Sequence, residues 1–436
     1  MSELKVGFAR VDITPPLGTT LAGYVRTRHA EGILDPLLAT AVVFEQDEKR
    51  IAVLSLDIIG YNQKSMDVLR PMIAEAIGTE KEAVFVHCTH THLGPVLYNE
   101  DDNKSYKDIM IRKICDAAVM AVRDLAPATL SYTRGVAEKV AFVRRFRMKD
   151  GSIRTNPGRL NPDIDHPLSD SDDNSSLLII KREGAPEIGI VNFQVHPDVI
   201  NGNLISADFP KFVRDTYEKL IDNSRCMYIN GTQGDTNHVD VNLADGLCGN
   251  GYDRAKYMGR KIAMSVLENY ELALPVSTEK GLRWGQKNIF VKHNKGRPDQ
   301  LEEAARIVKA VAEFGSKVAV PNAEGMERVT IIAEARRITN LADQPDEKEL
   351  YMTAVAVGDL VIAGFPGEPF TDIGRNVKNN SKFPLTFTAC CANGYEGYYP
   401  MQSAYDEGGY EARSARYVRG TAEAIVDASS ELINSL

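Results

Sequence analysis

Alternating apolar and polar positions from Leu4 to Ile13 predict a strand that breaks at Thr14-Pro15-Pro16-Leu17-Gly18. Two apolar runs follow, Leu37 to Phe44 and Ile51 to Leu56, with the turn residues Asp47-Glu48-Lys49-Arg50 between them. Met66, Leu69, Met72, Ile73 and Ile77 then recur at three- and four-residue spacing and stop at Gly78, which predicts an amphipathic helix with a glycine cap. Val84-Phe85-Val86 reads as a buried strand, and a second helix is expected from Ser105 to Leu125. Strand–helix alternation of this kind marks βαβ units. Beyond residue 125 the chain turns β-rich. Thr129 to Val143 is strand-like, Lys149-Asp150-Gly151 suits a hairpin turn, and Ser176 to Lys181 with Ile188 to Val195 predict a hairpin. Helices are expected from Pro210 to Ile221 and from Asp253 to Tyr270, around a strand at Cys226 to Ile229. Residues 295–350 are charged and broken by Pro and Gly, with one helix from Leu301 to Phe314, and predict an inserted subdomain. Regular order resumes with Tyr351 to Phe365, a helix from Pro369 to Lys378, a strand from Leu385 to Ala389 and a last helix near Arg413 to Leu432. The expected class is α/β, with mixed sheets flanked by helices in a single domain, 1–436.

Polar residues fall at the ends of the apolar strands, where ligands of α/β sheets bind. The strand at Val86 runs into His87, His90 and His92, three of the eight histidines. His90 and His92, two apart on an extended chain, would project to one side and aim two imidazoles at one metal ion or substrate. The same residues also fit a polar strand end bonded to nearby backbone. Ile188 to Val195 ends in His196-Pro197-Asp198, Cys226 to Ile229 in Asn230 to His238, and Leu360 to Phe365 in Pro366-Gly367-Glu368-Pro369. Two or three histidines with a carboxylate form a catalytic zinc set. Taken alone, His196 also fits a hydrogen-bonded core histidine, and Glu368 a charge at a helix N-terminus.

Composition removes some classes. At 43% hydrophobic and 25% charged residues, 436 residues make an ordinary globular protein. A formal net charge of −9 offers no global basic field, so no nucleic-acid partner is expected. No apolar run approaches the roughly 20 residues that cross a bilayer, so stable membrane insertion is not expected either. The N-terminus shows no apolar signal-peptide core, and six cysteines without a CxxC pair fit reduced thiols. A cytoplasmic location is the expectation, and oligomeric state is left open.

The motifs CTHTHLGP, NFQVHPD followed by ISADFPKF, FPGEPFTDIGR and NGYEGYYP, with VDITPPLG near the start and Leu34-Asp35-Pro36, run in order from Val11 to about Tyr410. Together they resemble the neutral/alkaline ceramidase family, whose catalytic domain is a zinc-dependent amide hydrolase. The resemblance implies a ceramidase-like catalytic domain, here without the family's Ig-like C-terminal domain. It implies one Zn2+ per chain held by His90, His196, Glu368 and Tyr398, with Tyr399 as the adjacent alternative. His92 would polarise or protonate the reacting amide, Arg144 (or Arg145) matches the family's arginine, and Tyr405 would support the tetrahedral intermediate. The family's Gly-Asp-Val-Ser-Pro-Asn stretch stands here as Gly234-Asp235-Thr236-Asn237-His238. Asp235 is kept as a catalytic candidate, while a serine nucleophile has no support.

The reaction implied is hydrolysis of an amide (N-acyl) bond in a small-molecule or lipid-like substrate. Zinc would lower the pKa of its water from about 15.7 to about 7, and Arg144 could bind a substrate carboxylate or sugar hydroxyl. With neither a signal peptide nor the following domain, a soluble or modest-sized amide is expected rather than membrane ceramide. Two rival readings stand beside it. One is another metallohydrolase, an esterase or amino-sugar deacylase with a binuclear centre using His87 or Asp235. The other is a metal-containing binding protein without turnover, favoured by the altered loop at 234–238.

Overall fold

The first hairpin forms where the pattern predicts it. Leu38–Gln46 and Lys49–Leu56 pair antiparallel in continuous register, and Asp47 and Glu48 turn the chain with φ 51° and 63°, the paired left-handed geometry that matches strand twist. Lys49–Leu56, the helix Gln63–Ile77 and Val84–Cys88 then make a βαβ unit, the two strands parallel. The Asn62 side chain accepts from the Ser65 N–H at the helix start, and Gly78 closes it in the left-handed region, φ 66°. Met66, Leu69, Ile73 and Ile77 are buried; Met72 of the predicted stripe is exposed.

This computed structural model describes residues 2–98, 102–243 and 249–436. Its larger sheet runs in the order 224–230, 187–193, 174–182, 126–136, 5–12, 38–46, 49–56, 84–88, with Leu274–Pro275 beside 126–136. A second sheet of four strands follows the order 282–292, 347–357, 360–364, 385–389. The sheets share an apolar layer in which Phe8, Phe44 and Phe85 meet Val355, Ile362 and Phe387. Helices cover the outer faces: Gln63–Ile77 and Lys104–Arg123 on one half of the large sheet, Phe209–Leu220 and Tyr252–Leu267 on the other, and Thr371–Asn380 with Thr421–Ser435 on the small sheet. The class is therefore α/β with mixed sheets flanked by helices. Among the described residues, no helix is long and apolar enough to cross a membrane.

One pair of contacts positions everything that follows. The Ser55 hydroxyl donates to the Tyr228 carbonyl at 2.8 Å, and the Cys390 N–H donates to the Asn230 carbonyl at 2.9 Å. The C-terminal ends of strands from both halves of the large sheet, and of one from the small sheet, thus meet at one corner.

Several elements depart from expectation. The strand expected to reach Val143 ends at Val136, because Lys139 turns with φ 61° and Phe142–Val143 pairs instead with Thr236–Asn237. The last helix is two: Tyr410–Ser414, then Thr421–Ser435 after Gly420 at φ 86°. Leu282–Lys292 is an edge strand, paired on one side within its sheet, and its mixture of Lys, Asn and Gln with apolar residues hides the signal. Within 295–350 the helix Pro298–Phe314 has a partner, Gly325–Leu341, that the charge pattern concealed. The two share a small apolar cluster of Ala304, Ile307, Ile332, Ala335 and Ile338.

Candidate metal centre and cleft

The strand Val84–Cys88 stops two residues before the first candidate ligand. His90 has φ 76°, a sparsely populated conformation for a non-glycine residue, so Thr89 to His92 is a turn and not an extended ladder. The strand-alternation argument for a shared side therefore does not apply. The turn achieves the same result through local bonds. The His90 N–H donates to the Ile58 carbonyl at 3.0 Å, and the His92 N–H to the Pro197 carbonyl at 3.4 Å. The two rings stand 5.2 Å apart. Gly23, at φ 99°, lies over the His92 ring, and a Cβ there would come within 2.6 Å of it.

His90, His92 and His196 form a group whose ligand atoms lie within 4.8 Å of one another and could hold a metal ion. All three, and Glu368, are at most 8% exposed. His92 Nε2 is 3.2 Å from His196 Nε2. Glu368 Oε2 is 3.3 Å from His90 Nε2 and 3.8 Å from His196 Nε2. The His90 Nδ1 lies 2.6 Å from the Ile59 carbonyl, which can only accept, so Nδ1 carries the proton. In the neutral ring the lone pair of Nε2 then faces a buried carboxylate oxygen that has no hydrogen-bond donor. A cation between them resolves that opposition, and a backbone carbonyl fixing the far nitrogen is the usual partner of a metal-bound imidazole. These residues fit a metal.

The surrounding charges agree. Burial pushes the His92 imidazole down to about 4, with the Asp198 carboxylate opposing, and holds His196 well below its ordinary value. Burial alone would raise the Glu368 carboxyl, but His90, His196 and the Tyr395 hydroxyl outweigh it and keep it below the usual range. His92 Nδ1 stands 3.5 Å from Asp198 Oδ1, and Asp198 also accepts from the Tyr24 hydroxyl.

The other candidates separate. Parallel pairing of Glu368–Pro369 with Tyr398–Tyr399 sets Tyr398 opposite Glu368, and Tyr398 lines the cleft. The Tyr399 hydroxyl instead donates to the Pro366 carbonyl, buried in the core. Arg144 also lines the cleft, its guanidinium 5.4 Å from the Tyr398 ring. Its Nε donates to Glu411 at 2.7 Å and one Nη to the Gly234 carbonyl at 2.6 Å. Arg145 is turned away, toward Gly408, Glu407 and Glu411. Asp235 lies behind the cleft and accepts from the Thr371 N–H and hydroxyl, both at 2.8 Å, bracing the segment that carries Glu368. Tyr405 is placed differently from the expectation. Its hydroxyl donates to the Tyr417 carbonyl, and Tyr410 lines the cleft instead. Gly408 and Gly409, at φ 83° and 89°, reverse the chain between the two tyrosines. His87 is buried against the Ser55 hydroxyl and Tyr228 carbonyl, and His238 meets Asn250; neither joins the group.

The cleft has a volume of about 840 Å³. Among the lining residues that the sequence reading did not single out for the site are Tyr24, Tyr395, Tyr410 and Arg336. Tyr395, whose hydroxyl donates to Glu368 Oε1 at 2.7 Å, sits inside NGYEGYYP, where the tyrosine count itself was the signal.

No protein-family model matches the sequence, and no curated protein matches it. Solved structures do. The neutral ceramidase from Pseudomonas aeruginosa aligns over 99% of this chain and 74% of its own, with TM-score 0.73 and 18% identity. A ceramidase complexed with C2 aligns over 99% and 75%, with TM-score 0.72 and 19% identity. The fold is ceramidase-like.

Proposed function

We propose that this protein is a zinc-dependent hydrolase of an amide (N-acyl) bond. The observation that carries the reading is the buried Glu368 carboxylate facing the lone pair of His90 Nε2 at 3.3 Å, beside His196 and His92. The likeness of fold to a protein described as a neutral ceramidase supports the amide as the bond cleaved. His90, His196 and Glu368 would hold one zinc ion, with Tyr398 completing the set. Zinc there supplies Lewis acidity and a water of pKa about 7.

The chain's own residues do the rest. His92 enters the reaction neutral, because burial lowers its pKa to about 4. It accepts a proton on Nε2 and later passes it to the leaving amine, while Asp198 beside Nδ1 steadies the imidazolium. Arg144, held by Glu411 and the Gly234 carbonyl, positions Tyr398 rather than reaching substrate. Asp235 positions the Glu368 segment. Thr236 is buried, its hydroxyl bonded to the Gln233 carbonyl, and is not expected to act as a nucleophile. Residues 1–436 would form one catalytic domain, with the helix Gly325–Leu341 as a wall of the cleft. The test is elemental analysis of purified protein together with turnover of N-acyl amides before and after chelation. One zinc per chain and chelator-sensitive hydrolysis are expected. Stoichiometric zinc and unchanged turnover in His196→Ala would overturn the assignment.

A further inference from the structure

The charge of the cleft runs against that of the chain. Five arginines line it, and its carboxylates are Asp198 and Glu368, although the formal net charge is −9. Most of these groups are already engaged. Arg144 pairs with Glu411 and Arg416 with Glu396. Arg337 donates to the Arg413 and Asn294 carbonyls. Asp198 is taken by Tyr24 and His92, and Glu368 belongs to the metal set. Arg336 is different. It is half-buried on the helix Gly325–Leu341, and its guanidinium reaches the Val25 carbonyl only at 3.4 Å. Burial lowers its pKa, opposed by the Tyr410 hydroxyl and, among the described residues, by no carboxylate. Arginine nonetheless stays charged, and a part-desolvated cation without an anion is costly. An anionic ligand offsets that cost. Within the cleft the Tyr410 ring meets the Tyr398 ring edge-on at 5.6 Å. Arg336 lines the same cleft as these rings and the metal set, together with the exposed Arg26.

We infer that the substrate is an N-acyl compound bearing a carboxylate, as an N-acyl amino acid does, and that Arg336 receives that carboxylate. The planar guanidinium suits a carboxylate through two parallel N–H···O bonds. The amide rests on the hydrolase reading above, whereas the anion site rests on Arg336 and its surroundings. The probes are a matched pair, an N-acylglycine and its uncharged N-acylglycinamide, given to the zinc-loaded protein. Calorimetric binding and kcat/KM are both read. The carboxylate compound is expected to bind about tenfold tighter, with a preference that weakens as salt rises. Arg336→Gln should bring the affinity ratio close to one, and Arg336→Lys should recover part of it. Equal affinity for the two probes, or a ratio that survives in Arg336→Gln and in the Arg26→Gln/Arg336→Gln double variant, overturns the inference. Preferential binding without hydrolysis of either probe would sink the hydrolase reading and leave the anion site standing.

Discussion

Tyr405 and Tyr410 lie five residues apart and have the same side chain, yet they face different neighbours. Gly408 and Gly409 in the left-handed region reverse the chain between them. Tyr405 spends its hydroxyl on the Tyr417 carbonyl, whereas Tyr410 meets Tyr398 across the cleft. Burial, with the Glu368 carboxylate, pushes the Tyr410 phenol up to about 12 and Tyr398 well above its ordinary value. Tyr410 therefore remains protonated at neutral pH and can donate to an oxyanion. Tyr410→Phe is expected to lower kcat about a hundredfold, the usual loss for one such donor, while Tyr405→Phe leaves kcat within a factor of two or so, since no substrate contact is lost. Steady-state kinetics on one N-acyl amide checks both. A large loss in Tyr405→Phe with unchanged thermal stability would reverse the roles.

At the scale of elements, the turn bearing His90 and His92 is tied to its surroundings by Asp57, at the end of the strand Lys49–Leu56. This carboxylate pairs with Arg214 on the helix Phe209–Leu220 at 2.7 and 2.9 Å and accepts from the Leu38 N–H and Thr89 hydroxyl. Both members of the pair are at most 2% exposed. Arg214→Met leaves the carboxylate buried and unpaired, and should cost about 3–5 kcal/mol in urea unfolding; the Asp57→Asn/Arg214→Met double variant should recover part of this. Additive losses would show that the pair is not coupled. The apolar periodicities predicted the strands and helices that build this corner, and three of the strand-end loops supplied His90, His92, His196 and Glu368. What the pattern could not carry was the route by which they meet. His90 reaches the site through a positive φ, not through strand alternation, and Tyr398 is distinguished from Tyr399 by a two-residue parallel pairing with Glu368. Arg336 lies on a helix whose polar and apolar residues are too mixed for its cleft face to show in sequence.

At the scale of the whole molecule, the corner where the sheets meet is closed by histidines that folding holds neutral. Burial lowers His87 to about 4, against 6.5 in an ordinary setting, with the Tyr228 carbonyl opposing; His92 falls to about 4 and His196 shifts the same way. The sign follows from proton counts. Between pH 6.5 and 4 the unfolded chain protonates these rings and the folded chain does not, so the unfolded state binds more protons and stability drops as pH falls through that window. Each such ring contributes a slope near 1.4 kcal/mol per pH unit. His87 isolates the effect, because it lies outside the metal group and is held by Ser55 and Tyr228. In chelator-treated protein, His87→Gln can still donate to the Tyr228 carbonyl but cannot titrate. Its unfolding free energy should depend on pH less steeply than that of the unmodified chain, by about one proton across the window. Parallel pH profiles for the two chelator-treated chains check the slope. Identical profiles for His87→Gln and the unmodified chain would mean that His87 is already charged in the folded protein.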